Sequence, residues 1–213
     1  MNKMQDNTPV AASNDMETKI IETAKSLFME NGFTDTSMSE IAVKAGINRP
    51  TLHYYFRTKE KMFQAVFGMI ISQIVPKIYD ILLDSNASIA KRVSRIVDTY
   101  YAILLNNPNL PLFVVVEIHR NINHLLDAIN QSPMKLVLSK VISGLEEEMA
   151  QGHIKQVPIN VVFFTFYGLL TFPFLTKNLS DRRAEDGNKP FIQLIDEWKP
   201  YIVMQMENLL RVE

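Results

Sequence analysis

Residues 37–59 read SMSEIAVKAGINRPTLHYYFRTK, two short helical patterns separated by only Ala45-Gly46-Ile47. A connection that short leaves room for a tight helix-turn-helix and little else. The second pattern is aromatic and locally basic, which suits a module that reads DNA. Each boundary has a physical reason. Ser37 is placed to cap the first helix while Glu40 reaches back to the free N–H of the cap. Gly46 takes the left-handed conformation that ends a helix without a Cβ clash. Asn48 caps the second helix, with Pro50 in its first turn, where a missing N–H costs nothing. The expected helices are 37–45 and 48–55. Ile41, Ala42, Ala45, Ile47 and Leu52 lock them together, and Ser37, Ser39, Asn48, Arg49, Pro50, Thr51, His53, Tyr54, Tyr55 and Lys59 remain as the surface offered to DNA.

The longer run Ile20–Phe67 resembles the N-terminal domain of TetR-family transcriptional regulators. The landmarks are Asn31-Gly32-Phe33 at the end of an apolar first helix, Thr36-Ser37, Ile41-Ala42, Ala45-Gly46-Ile47, Thr51-Leu52, the aromatic triplet ending in Phe56, and Thr58-Lys59-Glu60. Pro50, His53 and Tyr55 depart from the residues usual in that family's reading helix, so the operator sequence does not follow from the resemblance. The resemblance implies a homodimer whose last two helices form a four-helix interface, and a ligand pocket in the C-terminal domain.

Composition narrows the classes. The 213 residues are 47% hydrophobic, enough to bury a sizeable core, and the net charge of −1 means that any attraction to a polyanion is local. Between residues 44 and 61, Lys44, Arg49, Arg57, Lys59 and Lys61 face the single carboxylate of Glu60. The absence of cysteine excludes disulfide scaffolds and thiolate chemistry and fits a cytoplasmic setting. Residues 1–13 are polar and read as a flexible arm, not a signal peptide. The most apolar run, Val161–Leu175, is too short to span a membrane and contains Pro173.

Nearly every segment carries a three-to-four residue apolar period, so the class is all-α, with about nine helices. Asn14 and Glu17 form a second capping box at the start of the first helix. The expected organisation is an arm, 1–13; a three-helix helix-turn-helix domain, 14–60; and a larger ligand-binding and dimerisation domain, 61–213. Thr58 caps a long connector helix in which Pro76 should cause a kink or an end. Another helix is expected over about 88–105. The next segment, 110–129, is one helix with a break or two close-set helices. It places Glu117, Arg120, Asn121 and His124 on one side and Val114, Val115, Ile118, Ile122, Leu125 and Leu126 on the other. A seventh helix starts at Ser132-Pro133 and closes at Gly152, with Glu146-Glu147-Glu148 as a solvated face. Residues 159–175 are apolar all round, so a partner must cover what the chain's own core does not. Phe191, Ile195, Trp198, Ile202 and Met206 form a four-and-three seam suited to packing across a two-fold axis, joined there by Phe164 and Phe172, with a bend at Pro200.

Catalytic patterns are missing. His119 and His124 diverge by about 140° on a helix, and no Gly-rich phosphate loop, His-Glu-x-x-His pair or Gly-x-Ser-x-Gly elbow occurs. Neither a metal nor a cofactor is expected. The aromatics of the C-terminal half suit an apolar ligand cavity, with Phe67, Ile71, Tyr100, Tyr101, Phe113, Glu117, His119, Phe163 and Tyr167 as its candidate wall. The expectation is a homodimeric regulator, a repressor by resemblance. It binds a palindromic double-stranded operator and is released by a small apolar or amphipathic molecule. The alternative is a regulator controlled by a protein partner or by abundance.

Overall fold

The structure is a computed structural model that describes residues 8–84, 86–130, 134–185 and 189–212. Among these residues it has ten α-helices and no strand: α1 Thr8–Asp35, α2 Met38–Ala45, α3 Arg49–Tyr55, α4 Lys59–Leu82, α5 Ile89–Leu104, α6 Leu110–Asn130, α7 Met134–Ala150, α8 Ile159–Leu175, α9 Lys177–Glu185 and α10 Phe191–Leu210. The first helix begins earlier than the sequence signals suggest. Residues 8–13 are helical, so the expected arm is helix over that part, and residues 1–7 lie outside the described residues. Asn14 does not cap α1; its carbonyl instead accepts from Thr18 Oγ1 at 2.9 Å inside the helix.

Gly32, with φ of 82°, breaks the α1 rod and turns Phe33 back into the core. The buried Thr36 hydroxyl then donates to the carbonyls of Gly32 and Leu27, at 2.8 and 3.2 Å, closing helix-end acceptors that would otherwise be orphaned. The α2 start carries both halves of the Ser37/Glu40 box, and Gly46 ends α2 in the left-handed region at φ 74°, ψ 31°. Ile20, Ala24, Leu27 and Phe28 of α1 are buried together with Ile41, Ala42, Ala45 and Leu52, so the short α2–α3 pair is braced by burial and not by its own length.

α4 is the structural axis. Its 24 residues run helically through Pro76, so of the expected kink or end the end does not occur, and they pack against α1, α5, α6 and α7. By length and composition it could cross a membrane, yet Met62, Phe63, Val66, Phe67, Ile70, Ile71, Ile74, Val75, Ile78 and Ile81 are all buried in the protein. One apolar cluster continues from Ile20 to Leu210, so the expected division at residue 61 falls within α4 and within a shared core.

Three expectations change in the C-terminal half. α6 does break, at Asn121 (φ −164°, ψ 92°), but its faces follow the wheel only in part: Leu125 is buried and Arg120 exposed as expected. Glu117 is buried at 1% exposure, whereas Val115, Ile118, Ile122 and Leu126 are exposed. Within the acidic run of α7, Glu146 and Glu147 are exposed but Glu148 turns to Arg92, with Oε2 3.0 Å from Nη2. An extra helix, α9, leaves α8 at a bend of 46°, and α10 runs helically through Pro200. The Ser132-Pro133 start of α7 lies outside the described residues.

Candidate functional site

The helix-turn-helix surface is assembled by caps. Asn48 Oδ1 accepts from both the backbone N–H and the hydroxyl of Thr51, each at 2.8 Å. That fixes the first turn of α3 and commits the Thr51 hydroxyl proton, leaving its methyl and the oxygen's lone pairs to meet a ligand. Leu52 is fully buried, so α3 is pinned by one side. On the other side Arg49, Pro50, His53 and Tyr54 are exposed, Tyr54 at 83%, with Asn48, Ser37 and Ser39 beside them. Tyr55 is half-buried and meets the Tyr54 ring edge-on at 5.4 Å between centroids. His53 Nδ1 lies 3.2 Å from the Arg57 carbonyl.

The basic patch is smaller than the sequence count. Lys44 pairs with Glu30 at 3.3 Å. Lys59 turns its ammonium inward, donating to the Thr34 carbonyl at 3.0 Å and sitting 4.5 Å from the centre of the Phe33 ring. Burial of that ammonium, and then the Arg120 cation, hold its pKa below the usual lysine range. Arg49 and Arg57 are exposed and enter no ion pair among the described residues.

The second candidate site is a pair of adjoining chambers between α4, α5, α7, α8 and α10, which share Leu82, Val93, Ile96, Val141, Leu145 and Leu210 as lining. The chamber on the α8 side, termed inner only for its apolar lining, is about 130 Å³ and is walled by Val75 and Ile78 of α4, Leu138 and Ile142 of α7, Val162, Phe163, Phe166 and Tyr167 of α8, Tyr100 of α5 and Met206 of α10, with Ile142 and Tyr167 also reaching the surface. The outer chamber, about 200 Å³, adds Arg92, Lys140, Glu147, Glu148 and Gln151. Of the nine expected wall residues, Tyr100, Phe163 and Tyr167 line the inner chamber. Phe67, Ile71, Tyr101, Phe113 and Glu117 are buried elsewhere in the core, and His119 is exposed because it lies on the outer side of α6. The α7 wall was missed because its apolar period reads equally well as ordinary core.

The Tyr100 and Tyr167 hydroxyls meet at 2.5 Å and are the polar handle of the inner chamber. Burial raises both pKa values, Tyr100 well above the usual phenol, so each side chain stays neutral and one proton of the pair is free to be donated. The Tyr101 hydroxyl is buried without a hydrogen-bond partner, and burial, then Asp196 and Asp98, push its pKa to about 12.

The expected interface residues separate into two groups. Phe164 and Phe172 project from α8 at 74% and 64% exposure. Phe191, Ile195, Ile202 and Met206 are buried within their own chain, where α10 packs on α5 and α8. Trp198 is half-buried and donates its indole N–H to the Leu169 carbonyl at 2.9 Å. The seam is therefore intramolecular. The outward surface is instead Val161, Phe164, Phe172 and Leu175 of α8, with Tyr201 and Met204 of α10.

Residues 20–66 match the family described as bacterial regulatory proteins, tetR family. The fatty acid metabolism regulator protein of Bacillus subtilis (strain 168) is 24% identical over 138 residues, spanning 65% of this chain and 70% of that protein. The transcriptional regulator EthR of Mycobacterium tuberculosis (strain ATCC 25618 / H37Rv) is 32% identical over 62 residues, 29% of each chain. Among solved structures, FadR of Bacillus subtilis in complex with stearoyl-CoA has a TM-score of 0.65 at 19% identity, covering 87% of this chain and 97% of that one. A TetR-family regulator from Marinobacter aquaeolei VT8 has a TM-score of 0.67 at 17% identity, covering 94% and 97%. The structural likenesses speak for the fold, and the sequence matches speak for the reading domain that these caps assemble. Residues 20–66 therefore carry a domain of that family, and the relatives and neighbours that extend over the rest of the chain are transcriptional regulators.

Proposed function

We propose that this regulator is a homodimeric repressor that binds a palindromic operator through α2 and α3 and leaves it when an amphipathic molecule occupies the chambers. The observation that carries the reading is the course of α4. One helix of 24 residues, about 36 Å at 1.5 Å per residue, starts beneath the reading pair at Lys59 and ends as chamber wall at Val75, Ile78 and Leu82. Even taken together, the two adjoining chambers reach only the lower end of the roughly 300 to 1,000 Å³ of a typical ligand site. An occupant must therefore part α4 from α7, and α4 carries that displacement to the head. The stearoyl-CoA complex of the Bacillus subtilis relative supports a ligand with a long apolar chain.

Arg49 reads a guanine, the Thr51 methyl meets a thymine or the backbone, and Tyr54, Tyr55 and His53 hold phosphates, with Ser37, Ser39, Asn48 and Pro50 framing the contact. Lys59 acts through the N-terminal N–H groups of α4, its own ammonium being engaged. Two copies pair through Phe164 and Phe172, which sets the reading helices about 34 to 36 Å apart in successive major grooves. The test has two stages. Duplexes are first selected from a random library by the full-length protein, and the recovered site should be an inverted repeat bound by two chains. Stearoyl-CoA is then titrated into that complex. Dissociation of the DNA supports the reading, whereas a recovered site with a single half, or a complex indifferent to stearoyl-CoA and to other long-chain probes, overturns the dimer or the ligand limb respectively.

A further inference from the structure

The outer chamber holds a charged residue in an unusual position. Arg92 of α5 has a side chain only 11% exposed, and it staples three helices. Its Nη1 donates to the Leu82 carbonyl at 2.9 Å, at the C-terminal end of α4, and its Nη2 donates to Glu148 Oε2 of α7 at 3.0 Å. A cation on the last carbonyls of a helix is favourable electrostatically and satisfies an acceptor left without an intrahelical partner. The two carboxylate oxygens of Glu148 are differently placed. Oε2 is on Arg92, and Oε1 lies 3.6 Å from Nδ1 of His153, whose side chain is 58% exposed.

We propose that Arg92 is the anchor for an anionic head group, and that the ligand's anion takes the place of Glu148. The inference rests on the ligand-released reading of the chambers and specifies the chemistry of the occupant: an apolar chain ending in a carboxylate or a phosphate. The asymmetry of the pair decides the sign. Arg92 is held by a backbone carbonyl that cannot leave without unwinding α4, so a cationic ligand cannot displace it cheaply. Glu148 is the more exposed partner, at 22%, and has His153 and solvent on its outer side to receive it. A guanidinium accepts a carboxylate or a phosphate in the same planar fork that it offers Glu148. The six side chains common to both chambers let a chain in the inner chamber continue to Arg92. Chain and head then act together: the chain wedges α7 away from α4, and the head removes the ion pair that resists the wedge.

The experiment compares three probes of equal chain length, stearate, stearoyl-CoA and octadecanol, at submicellar concentration. Direct binding and release of the selected operator are both read on the full-length dimer. The wild type should prefer at least one of the two anions over the alcohol by about tenfold or more, the scale of a hydrogen bond to a charged group. The preferred anion identifies a carboxylate or a phosphate head. Arg92→Met should erase that preference without abolishing octadecanol binding, which loss of the ion pair that resists the wedge should tighten, and Glu148→Gln, which keeps the fold's packing but weakens the competitor, should tighten anion binding severalfold. Equal affinity for all three probes in the wild type, or an anion preference that survives Arg92→Met, overturns the anchor while leaving a chain-binding cavity intact. Failure of all three probes to bind overturns the ligand reading on which it stands.

Discussion

Replacing Arg49 with alanine separates the fold from its function more cleanly than any other single change. Arg49 is the first residue of α3, exposed and without an ion pair among the described residues, so the folded chain loses nothing it uses. The stability change should stay within about 0.5 kcal/mol, as for surface positions generally. Removing a cation from the positive end of a helix shifts it by a few tenths in the stabilising direction. The DNA complex loses a guanine contact worth roughly 1 to 3 kcal/mol. A two-fold complex contains that contact twice, so the total is roughly 2 to 6 kcal/mol, or about 30-fold to 20,000-fold in affinity. Fluorescence anisotropy on the selected operator, on variants with one base pair changed in both half-sites, and at two salt concentrations resolves the contributions. A base-reading Arg49 predicts relaxed discrimination at one symmetric position and a retained salt slope. A phosphate-holding Arg49 predicts unchanged discrimination and a slope reduced by about 1.8 for the two lost contacts. Unchanged affinity, discrimination and slope together would refute the assignment of α3 as the reading helix.

Leu52→Ala is the counterpart from the opposite face of α3: with the side chain fully buried, the change should cost about 2 to 5 kcal/mol in a urea melt, against under about 0.5 kcal/mol for Tyr54→Ala at 83% exposure. Phe164→Asp should leave the protomer's circular dichroism and chamber intact, because Phe164 is 74% exposed, while sedimentation shifts from dimer to monomer and operator affinity falls to that of one half-site. The buried tyrosines predict alkaline sensitivity. Tyr100 and Tyr101 have raised pKa values, Tyr101 about 12, so above pH about 10 the unfolded chain loses protons that the native chain retains. Stability should therefore be level up to about pH 10 and fall as pH rises through the native values, and a phenolate absorbance titration should show these groups ionising only as the chain unfolds.

The reading domain was legible because each of its boundaries is local. A capping box, a left-handed glycine and an Asn cap act over three or four residues, and each is where the spacing places it. The faces of α6 were not legible, for two reasons. Glu117 is charged and reads as outward, yet Arg120 holds it with Nε and Nη2, at 3.0 and 2.5 Å from Oε2, which makes an inward carboxylate tolerable. The break at Asn121 also interrupts the single wheel on which the faces are read, although Leu125 beyond it is buried as expected. The α10 seam failed differently. Alternating four and three steps specify a helix that packs on another helix, and nothing in the spacing says whether that helix belongs to the same chain. Here α5 and α8 take the seam, and what remains for a partner is the face of α8 that an all-apolar helix cannot bury alone.

The inward turn of Glu117 adds a second connection between the body and the head. α4 is one link, but α6 makes another through side chains that the outward reading would have given to solvent. Arg120 lies 3.9 Å over the Phe33 ring while Lys59 sits 4.5 Å from the same ring, so cations from α6 and α4 meet at the residue that ends α1. Glu117 supplies the charge that lets them do so, and the Arg120 contact to His124 Nδ1 at 2.9 Å spans the Asn121 break, tying the two halves of α6 into the same contact. Phe28, Phe63 and Phe113 pack around it, bringing α1, α4 and α6 together beneath the reading pair. A displacement of α4 at the chambers therefore cannot slide freely past the head. If a ligand displaces α4 as proposed, the shared contact at Phe33 predicts that α2 and α3 rotate about it more than they translate, a motion that would change the spacing of two reading helices without unfolding either one.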